Sequence, residues 1–334
     1  MRGNELRTAL LEAEGSASHG RQHSPLEKYI VPKDKSPRDL AGSFGPPTRY
    51  RLPVPLRLLI TLLVVIGAVL TIIICLPLAH LLSVEPSQLQ GAGFEPTFKT
   101  MTIVLIYAAS QFLLIWLVMR FVHRRRFDEL GFRGPILLPL LVGTAIGLVI
   151  ELANTGLICI AGSNVHLASN IPPEATASSV IGYFLLFLLF LLTLNSLKEE
   201  LVFRAYPIEQ FNDHPGAMVP VLIFVALVFA AVHHVIEPFR LATFLSRFSI
   251  ALLFAYIYFR WRSIWLISGL HNGMNLLGFL LIGHWKSGGL LKLTYESPSP
   301  SIEMAIELGV KIVALGMFHL VWRHARGRRR NHLS

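Results

Sequence analysis

Residues 180–204 read VIGYFLLFLLFLLTLNSLKEELVFR, an apolar run from Val180 to Leu197 that passes straight into Lys198, Glu199 and Glu200 and then Arg204. A second apolar run, Met218 to Val232, follows. Roughly 20 apolar residues cross the ~30 Å hydrocarbon core of a bilayer, so this stretch reads as a membrane helix ending in charge. A carboxylate at the centre of such a helix costs at least ~2.5 to 3.5 kcal/mol, which makes it a functional-site hypothesis by default and requires partners for it. The chain offers Arg204, His233, His271 and Asn275.

Composition agrees with the run. Of 334 residues 53% are hydrophobic and only 15% charged, and the mean hydropathy is +0.56. That is too apolar for a soluble domain and predicts an all-α, polytopic membrane protein. Eight spans are expected, at about 56–80, 100–122, 135–160, 178–197 and beyond, 217–236, 241–260, 263–284 and 303–323. Three regions follow: a polar tail over 1–50, a transmembrane bundle over 51–325 with its chemistry in 178–285, and a basic tail over 326–334. The first tail contains Pro25, Pro32, Pro37, Pro46 and Pro47 and no hydrophobic period, so it is expected to be disordered.

The formal net charge of +10 is mainly a topology signal. Arg49, Arg51 and Arg57 precede the first span, Arg120, Arg124, Arg125, Arg126 and Arg133 fill the second connection, and Arg260 and Arg262 the sixth; Arg323, Arg326, Arg328, Arg329 and Arg330 close the chain. Basic residues near helix ends stay on the cytoplasmic side, so both termini are expected inside. The arginines flank helices and form no folded basic face, which argues against nucleic acid as a partner. Without an apolar leader resembling a signal sequence, the plain architecture suggests a bacterial plasma membrane. Cys75 and Cys159 lie within spans and have neither the number nor the spacing of a disulfide or zinc framework. There is no internal repeat, Gly-rich phosphate loop or GxSxG elbow.

Asn212-Asp213-His214-Pro215-Gly216 is the strongest turn signal in the second half. Two antiparallel helices should meet there, the first kinked at Pro207. At 1.5 Å per residue, Glu199 lies roughly 22 Å before the turn and His233 roughly 28 Å after it, so the two reach similar heights. Helical phase places Glu200 with Arg204, Phe229 with His233, and His271 with Asn275, each pair four residues apart on one face. Glu199 points about 100° away from Glu200. This suits Glu199 as the reacting group and Glu200 as its support, the reverse assignment being the alternative. Each pair alone also has a plain structural reading: a rim ion pair, a packed histidine, an asparagine bonded to a neighbouring helix. His234 is a second imidazole beside His233.

These three pairs resemble the motifs EExxxR, FxxxH and HxxxN, in that order, of the CAAX protease and bacteriocin-processing (CPBP or Abi) membrane proteases, which include the Ras-converting type of prenyl-protein endopeptidase. The resemblance covers about residues 178–285. It implies an intramembrane peptidase in which Glu199 and His233 activate a water, while His271 and Asn275 face the oxyanion, with Glu200, Arg204 and Phe229 in support. The family is also described as metalloproteases. On that version Glu199, His233 and His271 would be zinc ligands with a fourth position open for water; on the metal-free version no cofactor is needed. The implied partners are a peptide or membrane-protein substrate and the lipid bilayer. Prenylated proteins, bacteriocin leader peptides and membrane proteins are all compatible substrate types. Two other classes compete: a transporter using the same groups as a proton relay, whose marks of an inverted repeat and broken helices are missing, and a non-catalytic peptide-binding or immunity protein. Glu151, Asn154, Arg247 and Lys311 are further polar residues in spans, with Glu307 and Lys311 spaced as an ordinary ion pair. Of these, Arg247 is the one expected to approach substrate.

Overall fold

The computed structural model describes residues 52–85, 97–188, 193–235, 239–282, 286 and 289–331; the first tail lies outside them. Its elements are helices α1 (Val54–Leu70), α2 (Ile72–Leu81), α3 (Phe98–Leu117, continued by a π turn Val118–Val122), α4 (Leu137–Ala161), α5 (Ala177–Leu186), α6 (Thr193–Glu200), α7 (Tyr206–Phe211), α8 (Pro215–Val232), α9 (Leu241–Trp261), α10 (Ile264–Ile282) and α11 (Pro300–Asn331). Two short strands, β1 (Ser163–Ser169) and β2 (Leu291–Glu296), pair antiparallel. The described residues are nearly all helical, as expected.

Among the described residues, six helical stretches are long and apolar enough to cross a membrane: Val54–Leu81, Phe98–Val122, Leu137–Ala161, Leu241–Trp261, Ile264–Leu281 and Pro300–Ala325. Two of the eight anticipated segments appear as shorter apolar helices, Ala177–Leu186 and Gly216–Val232. The outer surface fits a lipid setting. Leu63, Val149, Ile312 and Met317 are among many large apolar side chains left exposed, a surface that in water would be a large unpaired patch and in hydrocarbon needs no cover.

Local chemistry sets the breaks. Thr97 caps α3 in a reciprocal capping box with Thr100, and the Thr176 hydroxyl accepts from Ser179 N–H at the start of α5. The anticipated hairpin forms, with α7 ending at Phe211 and α8 beginning at Pro215. Pro207 falls in the first turn of α7, where its missing N–H costs least, and the irregularity sits just upstream as a π turn over Leu201–Ala205.

The closest helix pair is α4 with α10. Gly143 and Gly147 on α4 face Gly269 and Gly273 on α10, and a Cβ on any of the four would collide with backbone atoms of the opposite helix. Two small-xxx-small stripes therefore let the backbones touch. This contact fixes the depth of α10, and with it the position of His271 between the two glycines.

Candidate active site

The fold brings the end of α6, the middle of α10 and the end of α8 together. Glu200 and Arg204 are both essentially buried, 0% and 1% exposed at the side chain, and Arg204 Nη1 donates to Glu200 Oε1 at 3.0 Å. The guanidinium lies 4.2 Å from the Phe229 ring centroid and 5.5 Å from that of Phe254, so aromatic faces replace part of its lost hydration. The i, i+4 pairing read from the sequence is present, and it is internal, not at the rim.

His271 stands between the two glutamates. Its Nδ1 is 2.8 Å from Glu200 Oε1, and its Nε2 is 3.7 Å from Glu199 Oε2. Glu200, an acceptor when ionised, thus fixes the imidazole as an Nδ1–H donor and aims Nε2 at Glu199. The ring also tilts against Phe254 with centroids 5.7 Å apart. The other carboxylate oxygen of Glu199, Oε1, accepts from Asn195 Nδ2 at 3.0 Å and lies 3.4 Å from Lys198 Nζ.

His233 follows α8 in a 3-10 turn. Its Nδ1–H donates to Phe229 O at 2.7 Å, and the Phe229 ring meets it edge-on at 4.7 Å. Phe229 therefore touches both Arg204 and His233, which gives the aromatic of the FxxxH pair a physical task. His233 lies within electrostatic reach of Glu199, His271 and Arg247. His234 packs with Phe239 and Phe244, centroids 5.1 and 6.1 Å distant, so of the two adjacent histidines His233 is the one within electrostatic reach of Glu199. Asn275 is one turn beyond His271 on α10 and, among the described residues, has no hydrogen-bond partner for its side chain.

Several contacts had no counterpart in the sequence reading. Asn195 and Glu199 are four apart and could have been paired by spacing; Lys198 sits in the quoted run, but its direction is a tertiary matter. Lys198 is 5% exposed at the side chain and lies 4.8 Å from the Tyr107 ring centroid, a residue of α3 with no local sequence signal. Asn272 donates to Thr193 Oγ1 at 3.2 Å and ties α10 to α6. Away from the site, Lys311 pairs with Glu307 at 3.1 Å, as its spacing suggested, and also reaches Ser246.

Among the described residues, no three His, Cys, Asp or Glu side chains gather as a metal-holding group. Glu199 and His271 face one another, but His233 does not complete a three-ligand set with them.

The chain is a multi-pass helical protein in which two adjacent carboxylates and His271 meet inside the bundle. Comparison adds a likeness: residues 181–277 match the model described as Type II CAAX prenyl endopeptidase Rce1-like. The match over this stretch supports a membrane peptidase. It contains all seven motif residues, from Glu199 to Asn275. Comparison with curated proteins and with solved structures gives no match.

Proposed function

We propose that the protein is an intramembrane endopeptidase that hydrolyses a peptide bond with water activated by Glu199 and His233. One observation carries this reading. His271 is held by the buried Glu200–Arg204 pair with its Nε2 directed at Glu199, inside the segment that matches the peptidase family.

A water between Glu199 Oε2 and His233 Nε2 gives up a proton to Glu199 as its oxygen attacks the scissile carbonyl carbon. His233 is prepared for this, because its Nδ1–H is committed to Phe229 O and its Nε2 is left to accept. The tetrahedral oxyanion then meets His271 Nε2 and the Asn275 amide. A proton on Nε2 makes the first contact a charge-assisted hydrogen bond, and fixed donors aimed at developing charge in a water-poor site are worth more than in bulk. Breakage of the C–N bond follows as the proton held by Glu199 passes to the leaving amine. Because the family description names prenyl endopeptidases, a peptide ending in a prenylated cysteine motif is the first substrate to try; bacteriocin-type leaders and membrane-protein segments are the next.

The test is cleavage of a panel of quenched peptides, farnesylated and unmodified, by full-length protein in nanodiscs. Wild type cutting at least one, with a loss on the order of 10³-fold in Glu199→Gln, is expected; uptake or tight binding without cleavage would favour the transporter or binding-protein reading. No step above passes through zinc. A loss of activity on EDTA treatment, restored by stoichiometric zinc, would replace the metal-free scheme.

A further inference from the structure

We infer that Asn195 and Lys198 are positioning residues that clamp one oxygen of Glu199 so that the other faces the reaction space. The inference rests on the reading of Glu199 as the base. The two side chains meet the same atom: Asn195 Nδ2 at 3.0 Å and Lys198 Nζ at 3.4 Å, both on Oε1. Oε2, the remaining oxygen, is the one that faces His271 Nε2 at 3.7 Å. A carboxylate with both oxygens open would rotate about its last bond and spread its basicity over several directions; two donors on Oε1 remove that freedom.

Lys198 would not be buried here without a task. An ammonium inside a bundle carries a large desolvation cost and persists only when paired. Glu200 already has Arg204 at 3.0 Å, so the two carboxylates are matched one to one by Arg204 and Lys198. The Tyr107 face, 4.8 Å from Nζ, supplies a cation–π contact and stops the lysine from following other acceptors. Asn195 is set by α6 itself, four residues before Glu199. The clamp is thus built from one local and one long-range constraint, and it links α3 to the reacting group.

The experiment uses full-length protein in nanodiscs and a farnesylated quenched peptide, with Lys198→Met, Lys198→Arg, Asn195→Ala and Glu199→Gln. Misplacement of a catalytic group by about 1 Å costs on the order of 10²-fold. Lys198→Met and Asn195→Ala are expected to lower kcat by about ten- to a hundredfold with KM changed less than twofold, and Lys198→Arg to recover most of the loss. The carboxyl ¹³C resonance of Glu199, assigned by its disappearance in Glu199→Gln, should move in Lys198→Met and return towards wild type in Lys198→Arg. That signal needs no substrate. Unchanged kcat in folded Lys198→Met, an Arg variant as impaired as the Met variant at wild-type melting temperature, or a ¹³C signal that ignores Lys198 would overturn the clamp. Wild-type turnover in Glu199→Gln, or no cleavage by wild type, would instead overturn the protease reading beneath it.

Discussion

Two buried glutamate centres lie on the same α6–α7 arm, about ten residues apart, and they are built differently. Glu209 is saturated: Oε1 accepts from Arg262 Nη1 at 2.6 Å and Tyr258 OH at 3.2 Å, while Oε2 accepts from Asn212 Nδ2 at 3.2 Å and lies 3.8 Å from Arg125 Nη2. Arg125 also donates to the Glu209 carbonyl at 3.0 Å, and nearby Arg57 pairs with Asp213 at 2.8 Å. At the Glu199–Glu200 centre, polar capacity is left over. Glu200 Oε2 and Arg204 Nη2 are buried with no hydrogen-bond partner, and Glu199 Oε2 has His271 only at 3.7 Å. A saturated network holds helices; one with open positions can receive water and substrate. The difference separates a structural anchor from the proposed reactive centre, although both are buried carboxylates beside arginine.

The largest stability effect is expected at the anchor. Removing one member of a buried, hydrogen-bonded charge network costs about 3–5 kcal/mol, so Glu209→Ala should sharply lower the melting temperature and yield, while the folded fraction keeps near-normal turnover per molecule. Turnover lost without loss of stability at Glu209 would erase the distinction. Glu200→Gln is expected to fall between the two centres. It strands Arg204 and loosens His271, so melting temperature and kcat should drop together, which differential scanning and an activity assay on the same preparation would read. A Glu200→Gln protein that is stable but inactive would place the reacting group at Glu200.

A smaller effect is expected at the helix pair that sets the height of His271. Gly147→Ala forces α4 away from the Leu270 backbone, with an overpacking cost of ~1–3 kcal/mol. It should reduce kcat out of proportion to the melting shift, because α10 carries His271 and Asn275; equal effects from Gly156→Ala, where open space surrounds the residue, would contradict this. The smallest effect concerns the sheet outside the bundle. Hydrogen bonds from Ser163 Oγ and Asn164 Nδ2 hold the Glu296 carboxyl below the ordinary glutamate range. A carboxyl lowered in the folded state stabilises above its unfolded value and loses that contribution as pH falls through the folded one. Amide exchange in β1, corrected for intrinsic rates, should therefore accelerate on acidification below the ordinary glutamate range, and Glu296→Gln should remove the dependence.

The same contrast explains what the sequence made legible. Spans were readable because twenty consecutive apolar residues have few other fates, and the ends of α3, α4 and α9 fall within a few residues of those anticipated. Glu200 with Arg204 and His271 with Asn275 were readable because four-residue spacing fixes a shared helix face whatever surrounds it. The Glu209 anchor was not, since Arg125 and Arg262 come from two separate connections, and nearby Arg57 from the start of α1, and all three read locally as topology signals only. The β1–β2 pairing joins loops more than a hundred residues apart, with side chains on β1 that are all exposed and show no hydrophobic alternation. The glycine stripes of α4 and α10 did carry a signal in their four-residue spacing. Tyr107 under Lys198 carried none, because only packing of α3 against α6 brings it there.

The most direct test of the central claim is Glu199→Gln, with turnover and thermal stability measured on one purified sample. The amide keeps the shape and can still accept from Asn195, but it cannot take a proton from water. The account predicts a melting temperature close to wild type and turnover reduced on the order of 10³-fold; a folded Glu199→Gln protein that still cleaves at the wild-type rate would contradict it.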